Sequence, residues 1–339
     1  MSMNAINALR RCFGRPTLGR AAIGRAALGR AAISRAAIGV LLLAATLLVL
    51  PRAHAAAPPS KPLNVVATTG MLADTLRAIG GDRIEVTALM GTGVDPHTYR
   101  QTRSDIQRMT RADLVVWHGL HLEAQLEKFF ADLGKHRKVV ALTEVIPEDK
   151  LAGWEDYPGR HDPHVWMDPG LWLYVVDAAR DTLIEVDPDG ADSYTKNAEV
   201  YSQQLKDTDE ASRRALNLVP ESARVLVTAH DAFGYFGRAY GYEVLGIQGI
   251  STESEASLNQ IERLVSVLVD RKIKAIFVES SVADRNIRAL VEGAAARGHK
   301  VVVGGELFSD AMGAPGTVEG TYIGMIQHNV ETIARALSQ

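Results

Sequence analysis

The chain has 339 residues, 47% of them apolar, with 37 Lys and Arg against 40 Asp and Glu, a net charge of −3, and one cysteine. That is ample for a globular core and for two compact domains, and it excludes a fold built on disulfides.

Residues 1–55 stand apart. They hold eight Arg and no Lys, Asp or Glu. Gly39 to Leu50 is an unbroken run of small or apolar residues, and Ala53-His54-Ala55 follows as a small-x-small cleavage site. A positive head, a short apolar run and a small-residue exit read as a secretory signal cleaved near Ala55. The apolar run is too short to span a bilayer comfortably. The repeat "GRAAIGRAALGRAAISRAAIG" recurs every five residues, so its arginines spiral around a helix and form no single basic face. Nothing physical accounts for it. Without residues 1–55, 29 basic residues face 40 acidic ones and the net charge is −11. So acidic a chain is a poor nucleic-acid binder and tolerates cationic ligands. Cys12, the sole cysteine, lies in the presequence, and none follows the apolar run to carry a lipid. The expectation is a soluble, periplasmic monomer without a lipid anchor.

Beyond the signal, apolar β-branched runs come at regular intervals. "LNVVAT" (63–68), "IEVTALM" (84–90), "DLVVWHG" (113–119) and "KVVALTE" (138–144) read as short buried strands. Helix-like stretches such as 71–80 and 102–112 lie between them. This alternation predicts a parallel sheet with helices on both faces. Residues 187–220 are polar and helix-favouring from about Ala191 to Leu218, with Pro188 and Pro220 at the ends. Tyr194, Ala198, Tyr201 and Leu205 recur there at helical spacing. The segment reads as one helix joining two lobes, stiffer than a Gly/Ser linker. The strand and helix grammar then repeats, with strands at 224–230, 242–247, 273–279 and 299–306 and helices at 257–271 and 284–298. The expected division is 1–55 signal, 56–190 first α/β lobe, 191–219 linking helix, 220–339 second α/β lobe.

Ligands of parallel α/β sheets sit at the carboxyl ends of strands. His97 follows the second strand, His164 the fourth by a longer loop, His230 ends the first strand of the second half, and Asp310 follows its last. Two from each lobe could converge on one cleft. Three imidazoles and a carboxylate suit a divalent transition metal, and four protein donors close a tetrahedral shell, which favours carriage over catalysis. His97 and His164 each close an Asp-Pro-His tripeptide, at 95–97 and 162–164. Proline fixes the backbone there, and the aspartate can orient the imidazole through its other nitrogen. His161 competes with His164, which follows the rigid Asp-Pro pair and has Trp166 to wall the site. Asp168 reads as a helix cap before Pro169 rather than a ligand. Glu253, Glu255 and Glu279 are weaker candidates, and His118, His136, His299 and His328 read as capping or surface residues.

Together "DPHTY" (95–99), "HGLHLE" (118–123), "DPHVWMD" (162–168), "VTAHDAFGYF" (227–236), "FVESS" (277–281) and "GGELFSDAMG" (304–313) resemble the metal-binding solute receptors of ABC importers, the cluster A-I group. The likeness spans essentially the whole mature chain and is nearest to the TroA branch. It implies two α/β lobes bridged by one long helix, with His97, His164, His230 and Asp310 as ligands. It also implies Zn²⁺ or Mn²⁺ as the transported ion and a membrane permease as partner. Manganese-type relatives carry glutamate at the position of His230. Zinc specialists often carry a histidine-rich acidic loop between the first two ligands, whereas residues 143–161 hold only His161, which keeps manganese and iron open. The rival readings are a zinc hydrolase, with Asp231 or a glutamate as general base, and a surface adhesin.

Overall fold

The structure, a computed structural model, describes residues 61–154 and 157–338. The expected signal segment lies outside the described residues.

In the first half, β1 (Leu63–Ala67), β2 (Ile84–Ala88), β3 (Leu114–Trp117) and β4 (Lys138–Ala141) form one sheet in the order β2-β1-β3-β4, all parallel. Val65, Val66, Leu114 and Val115 are fully or almost fully buried, as a sheet covered on both faces requires. Helices α1 (Gly70–Gly80) and α2 (Arg103–Arg111) fill two crossovers. Each begins at a threonine whose hydroxyl accepts a backbone N–H: Thr69 from Leu72, and Thr102 from Asp105 in a reciprocal cap. Then come α3 (Glu127–Leu133) and α4 (Pro169–Val186).

The connecting helix α5 (Ala191–Leu216) has 26 residues, about 39 Å at 1.5 Å per residue. It buries Tyr194, Ala198, Tyr201 and Leu205 and continues that stripe through Thr208, Ser212 and Ala215. Both ends are fastened. Arg83 makes two bonds to Asp187, 2.7 and 2.9 Å, just before the helix, and Tyr194 donates to the same carboxylate at 2.6 Å. At the far end Tyr242 donates to the Leu216 carbonyl at 3.0 Å, and Tyr240 to Asp209 at 2.9 Å.

The second half pairs β5 (Val225–His230) with β6 (Glu243–Gln248) and β7 (Ala275–Glu279) with β8 (Val302–Leu307), both parallel, with β5 beside β7. Helices α6 (Gly234–Tyr240), α7 (Leu258–Asp270), α8 (Arg285–Ala296) and α9 (Tyr322–Leu337) surround them. Gly246 in β6 has a positional reason: a Cβ there would lie 2.6 Å from the Asp231 backbone nitrogen, so only glycine lets the chain after His230 pass so close.

The α/β architecture with two lobes and a long helix is as the sequence predicts. Helices α3, α6 and α9 are additional. α9 ties the chain's end to the first half, because the Tyr322 N–H donates to Asp74 at 2.8 Å and its hydroxyl to the Trp166 carbonyl at 2.7 Å.

Candidate metal centre

Four side chains meet where the carboxyl ends of the strands face one another. His230 Nε2 lies 3.2 Å from one Asp310 oxygen, and His164 Nε2 lies 3.4 Å from the other. His97 Nε2 is 3.8 Å from Asp310 and 3.3 Å from His164 Nε2. One ligand atom from each residue falls within 4.8 Å of all the rest. None of the four residues is more than 2% exposed. His230 Nε2 and both Asp310 oxygens are buried with no hydrogen bond among the described residues. Such orphaned polar atoms are costly in a protein interior, and a cation is the one partner that satisfies nitrogen and oxygen lone pairs aimed at a single point.

The imidazoles are held from behind. A single oxygen of Asp162 accepts both the backbone N–H of His164, at 2.9 Å, and its Nδ1–H, at 2.7 Å. Glu279, at the end of β7, holds His230 with both oxygens, one accepting the backbone N–H at 2.9 Å and the other Nδ1–H at 2.5 Å. In both, the carboxylate on Nδ1 fixes the ring so that Nε2 faces the cluster. Asp95 behaves differently from the sequence expectation. It accepts the backbone N–H of His97 at 2.9 Å, and its other oxygen accepts the hydroxyls of Thr98, at 3.0 Å, and of Thr252, at 2.6 Å. The ring of His97 is left to its packing.

Burial pushes His97 down to about 3, since Asp310 offsets that only in part. Burial pulls His164 down too, but Asp162 and then Asp310 outweigh it and raise the imidazole to about 9. For His230 burial is overcome by Asp310 and Glu279, which hold it well above its ordinary value. Burial would raise Asp310, yet His230 and His164 keep it well below the usual carboxylate range. Asp310 is thus an anion inside a nest of imidazoles.

The other candidates stand elsewhere. His161 pairs with Gly153 through the backbone, and its Nε2 lies 3.9 Å from Glu148. Asp168 caps α4, accepting the Gly170 N–H at 2.8 Å with Pro169 first in the helix. Glu255 pairs with Arg285, and Glu253 accepts from Gln125 at 2.5 Å. Asp231 lines an interlobe cavity of about 620 Å³ rather than the cluster. His136 is exposed, and His299 and His328 pair with the carbonyls of Ile273 and Glu306. His118 corrects the surface expectation. It is fully buried beside Trp166 and Trp172, and its Nε2–H donates to the Pro163 carbonyl at 2.7 Å. It continues the buried run of β3, which is the signal that could have found it. Glu279, weakly favoured as a ligand, supports His230 instead. Its place at a strand end beside β5 was the available clue.

Two α/β lobes across a long helix, with a buried cluster of imidazoles and one carboxylate between them, define a two-lobed solute receptor. Residues 65–336 match the family described as zinc-uptake complex component A, periplasmic (ZnuA), and the chain belongs to that family. Zinc-binding protein TroA of Treponema pallidum is 47% identical over 284 residues, 84% of this chain and 91% of that protein. Manganese-binding lipoprotein MntA of Bacillus subtilis is 46% identical over 276 residues, 81% of this chain and 90% of its own length. The solved structure of the periplasmic zinc-binding protein TroA superposes with a TM-score of 0.80 at 46% identity, covering 82% of this chain and 100% of that one.

These relatives overturn one expectation. MntA is named a lipoprotein, as are a second MntA and several streptococcal receptors. A freely soluble periplasmic protein without a lipid anchor is therefore not supported. That expectation came from the lack of a cysteine after the apolar run, an absence in a segment outside the described residues, and kinship outweighs it.

Proposed function

We propose that this protein is the receptor of an ABC importer for a divalent transition metal, Zn²⁺ or Mn²⁺, which it delivers to the membrane permease. The ion is its cargo, held by Nε2 of His97, His164 and His230 and by the Asp310 carboxylate. The observation that carries this reading is the buried convergence of those four donors within 4.8 Å. Four protein donors complete a tetrahedral shell, whereas metal-assisted hydrolysis needs an open position for water and substrate, so the reading is a receptor and not an enzyme. The relatives named for zinc and for manganese support both ions.

Calorimetry of both metals on the parent and two variants tests it. Asp310→Asn keeps shape and one oxygen but removes the only charge in the shell, so manganese, which leans more on carboxylate, should lose a larger share of its affinity than zinc. His230→Ala should weaken both ions. An Asp310→Asn protein that bound manganese as tightly as the parent would sink the four-donor site.

A further inference from the structure

A cavity of about 210 Å³ has His97 in its wall. His121, Trp154 and Arg160 from the first half, and Ser251 and Glu253 from the second, line the same space. It is an interlobe vestibule with one of the converging imidazoles at its edge.

His121 stands out there on two counts. Its backbone is left-handed, with φ 68°, and it follows Leu120 at 50° and Gly119 at 94°. Two successive non-glycine residues in that region are strained, and such strain persists only where the surroundings hold it. Glu123 supplies the hold: its carboxylate accepts the backbone N–H groups of His118, at 2.8 Å, and Gly119, at 3.3 Å, and the Thr68 hydroxyl at 2.5 Å. The second count is the imidazole itself. Nδ1–H donates to the Glu127 carboxylate at 2.6 Å. Among the described residues this arrangement recurs at His164 with Asp162 and His230 with Glu279, and both of those present Nε2 to the buried cluster. A carboxylate on Nδ1 fixes the ring and makes Nε2 the nitrogen offered to a cation. The His121 side chain is 24% exposed, within reach of an ion arriving from solvent.

We propose that His121 Nε2 and the Glu253 carboxylate form a staging site for the divalent metal ion, a first station from which it passes to His97. This rests on the reading of the buried cluster as the metal site. One imidazole and one carboxylate replace part of an ion's hydration shell without enclosing it, which suits a station that must be left again. Arg160, stacked 5.7 Å over the Tyr157 ring, shares the wall and keeps the station shallow by opposing the carboxylates' attraction.

Stopped-flow mixing of the full chain with Mn²⁺ or Zn²⁺, followed by tryptophan fluorescence, tests the station, with release into chelator giving the reverse rate. His121→Asn is the first variant, since asparagine tolerates the left-handed backbone. Glu253→Gln, on an exposed loop, is the second and removes charge without touching the turn. Each should slow association about three- to tenfold and release by the same factor, leaving Kd within about twofold, because a station on the path changes rates in both directions and not the final site. Unchanged association in both variants overturns the station. So does a Kd weakened more than about tenfold at unchanged association, which would assign His121 to the final shell. A parent that bound neither ion would bring down the receptor reading as well, a result distinct from unchanged kinetics on a parent that binds.

Discussion

At residues 162–164 the aspartate of Asp-Pro-His grips its own histidine twice, by backbone and by ring. At residues 95–97 the same tripeptide grips only the backbone and turns its second oxygen to Thr98 and, across the cleft, to Thr252. The parallel extends two residues further. Trp166 is fully buried and its indole N–H donates to the Ser309 carbonyl at 2.9 Å, while Tyr99 is half-buried and donates to Asp105, the partner of Thr102 in the α2 cap. The tripeptide therefore encodes a turn. Whether it also encodes a fixed imidazole depends on what the rest of the fold brings near it. The His164 ring is held by its own tripeptide, and the His97 ring, at the vestibule, is not.

The largest test of that difference is on stability. Trp166→Ala should cost about 3–5 kcal/mol, as large-to-small changes in a filled core do. Tyr99→Ala should cost about 1–2 kcal/mol, for a lost hydrogen bond and partial burial. Denaturant titration of both metal-free variants decides, and equal losses would erase the distinction between the loops. The second test uses pH. The rigid loop hangs from His118, whose backbone N–H is held by Glu123. Burial, only partly offset by hydrogen bonds from Thr68, His118 and Gly119, pushes Glu123 from 4.5 up to about 7. The fold thus keeps a proton that the unfolded chain releases. Stability from this group is full below pH 4.5, falls as pH rises through 7, and is flat above, a change of about 3 kcal/mol at most. Comparing parent with Glu123→Gln across that range isolates the slope, and superposable curves would exclude it.

The third test is on affinity. On the proposed metal site, Asp162→Ala frees a buried imidazole and should weaken zinc binding about 10- to 100-fold, whereas Asp95→Ala, at a side chain that never touches the ring, should weaken it severalfold at most. Isothermal calorimetry reads both, and a loss at Asp95 matching that at Asp162 would break the comparison. The smallest effect belongs to Thr252→Val. It removes one interlobe hydrogen bond, about 1 kcal/mol, and should raise amide exchange around 95–98 while leaving 162–166 as in the parent.

Much of this was legible in the sequence. The strands end within a few residues of their apolar runs, the connecting helix starts where Pro188 prepares it and stops short of Pro220, and the four converging residues sit at strand ends or in the loops after them. What was not legible is pairing at a distance. Thr252 lies 157 residues from Asp95, and Glu279 lies 49 from His230, so no local spacing could say that one aspartate is shared across the cleft or that a second carboxylate stands behind a ring. α9 is a different case. Its buried Tyr322, Met325, Ile326, Val330 and Ile333 follow helical spacing, a signal plainly present beyond the last predicted strand. His118 escaped because a histidine after a strand reads as polar, although it continues the apolar run of β3 and is enclosed by two tryptophans.

The helix between the lobes has a consequence for how the protein comes apart. Its buried stripe belongs to one apolar cluster that also takes in Val65 and Leu72 near the chain's start, Phe233 after β5, and Tyr322 and Leu337 of α9. Neither lobe owns that cluster, so neither can melt without exposing hydrocarbon that the other needs covered. A single cooperative thermal transition rather than two in succession is therefore the expected outcome, read by calorimetry. An ion bound between the lobes stabilises both at once, by about 2.7 kcal/mol when free metal stands at a hundred times its Kd.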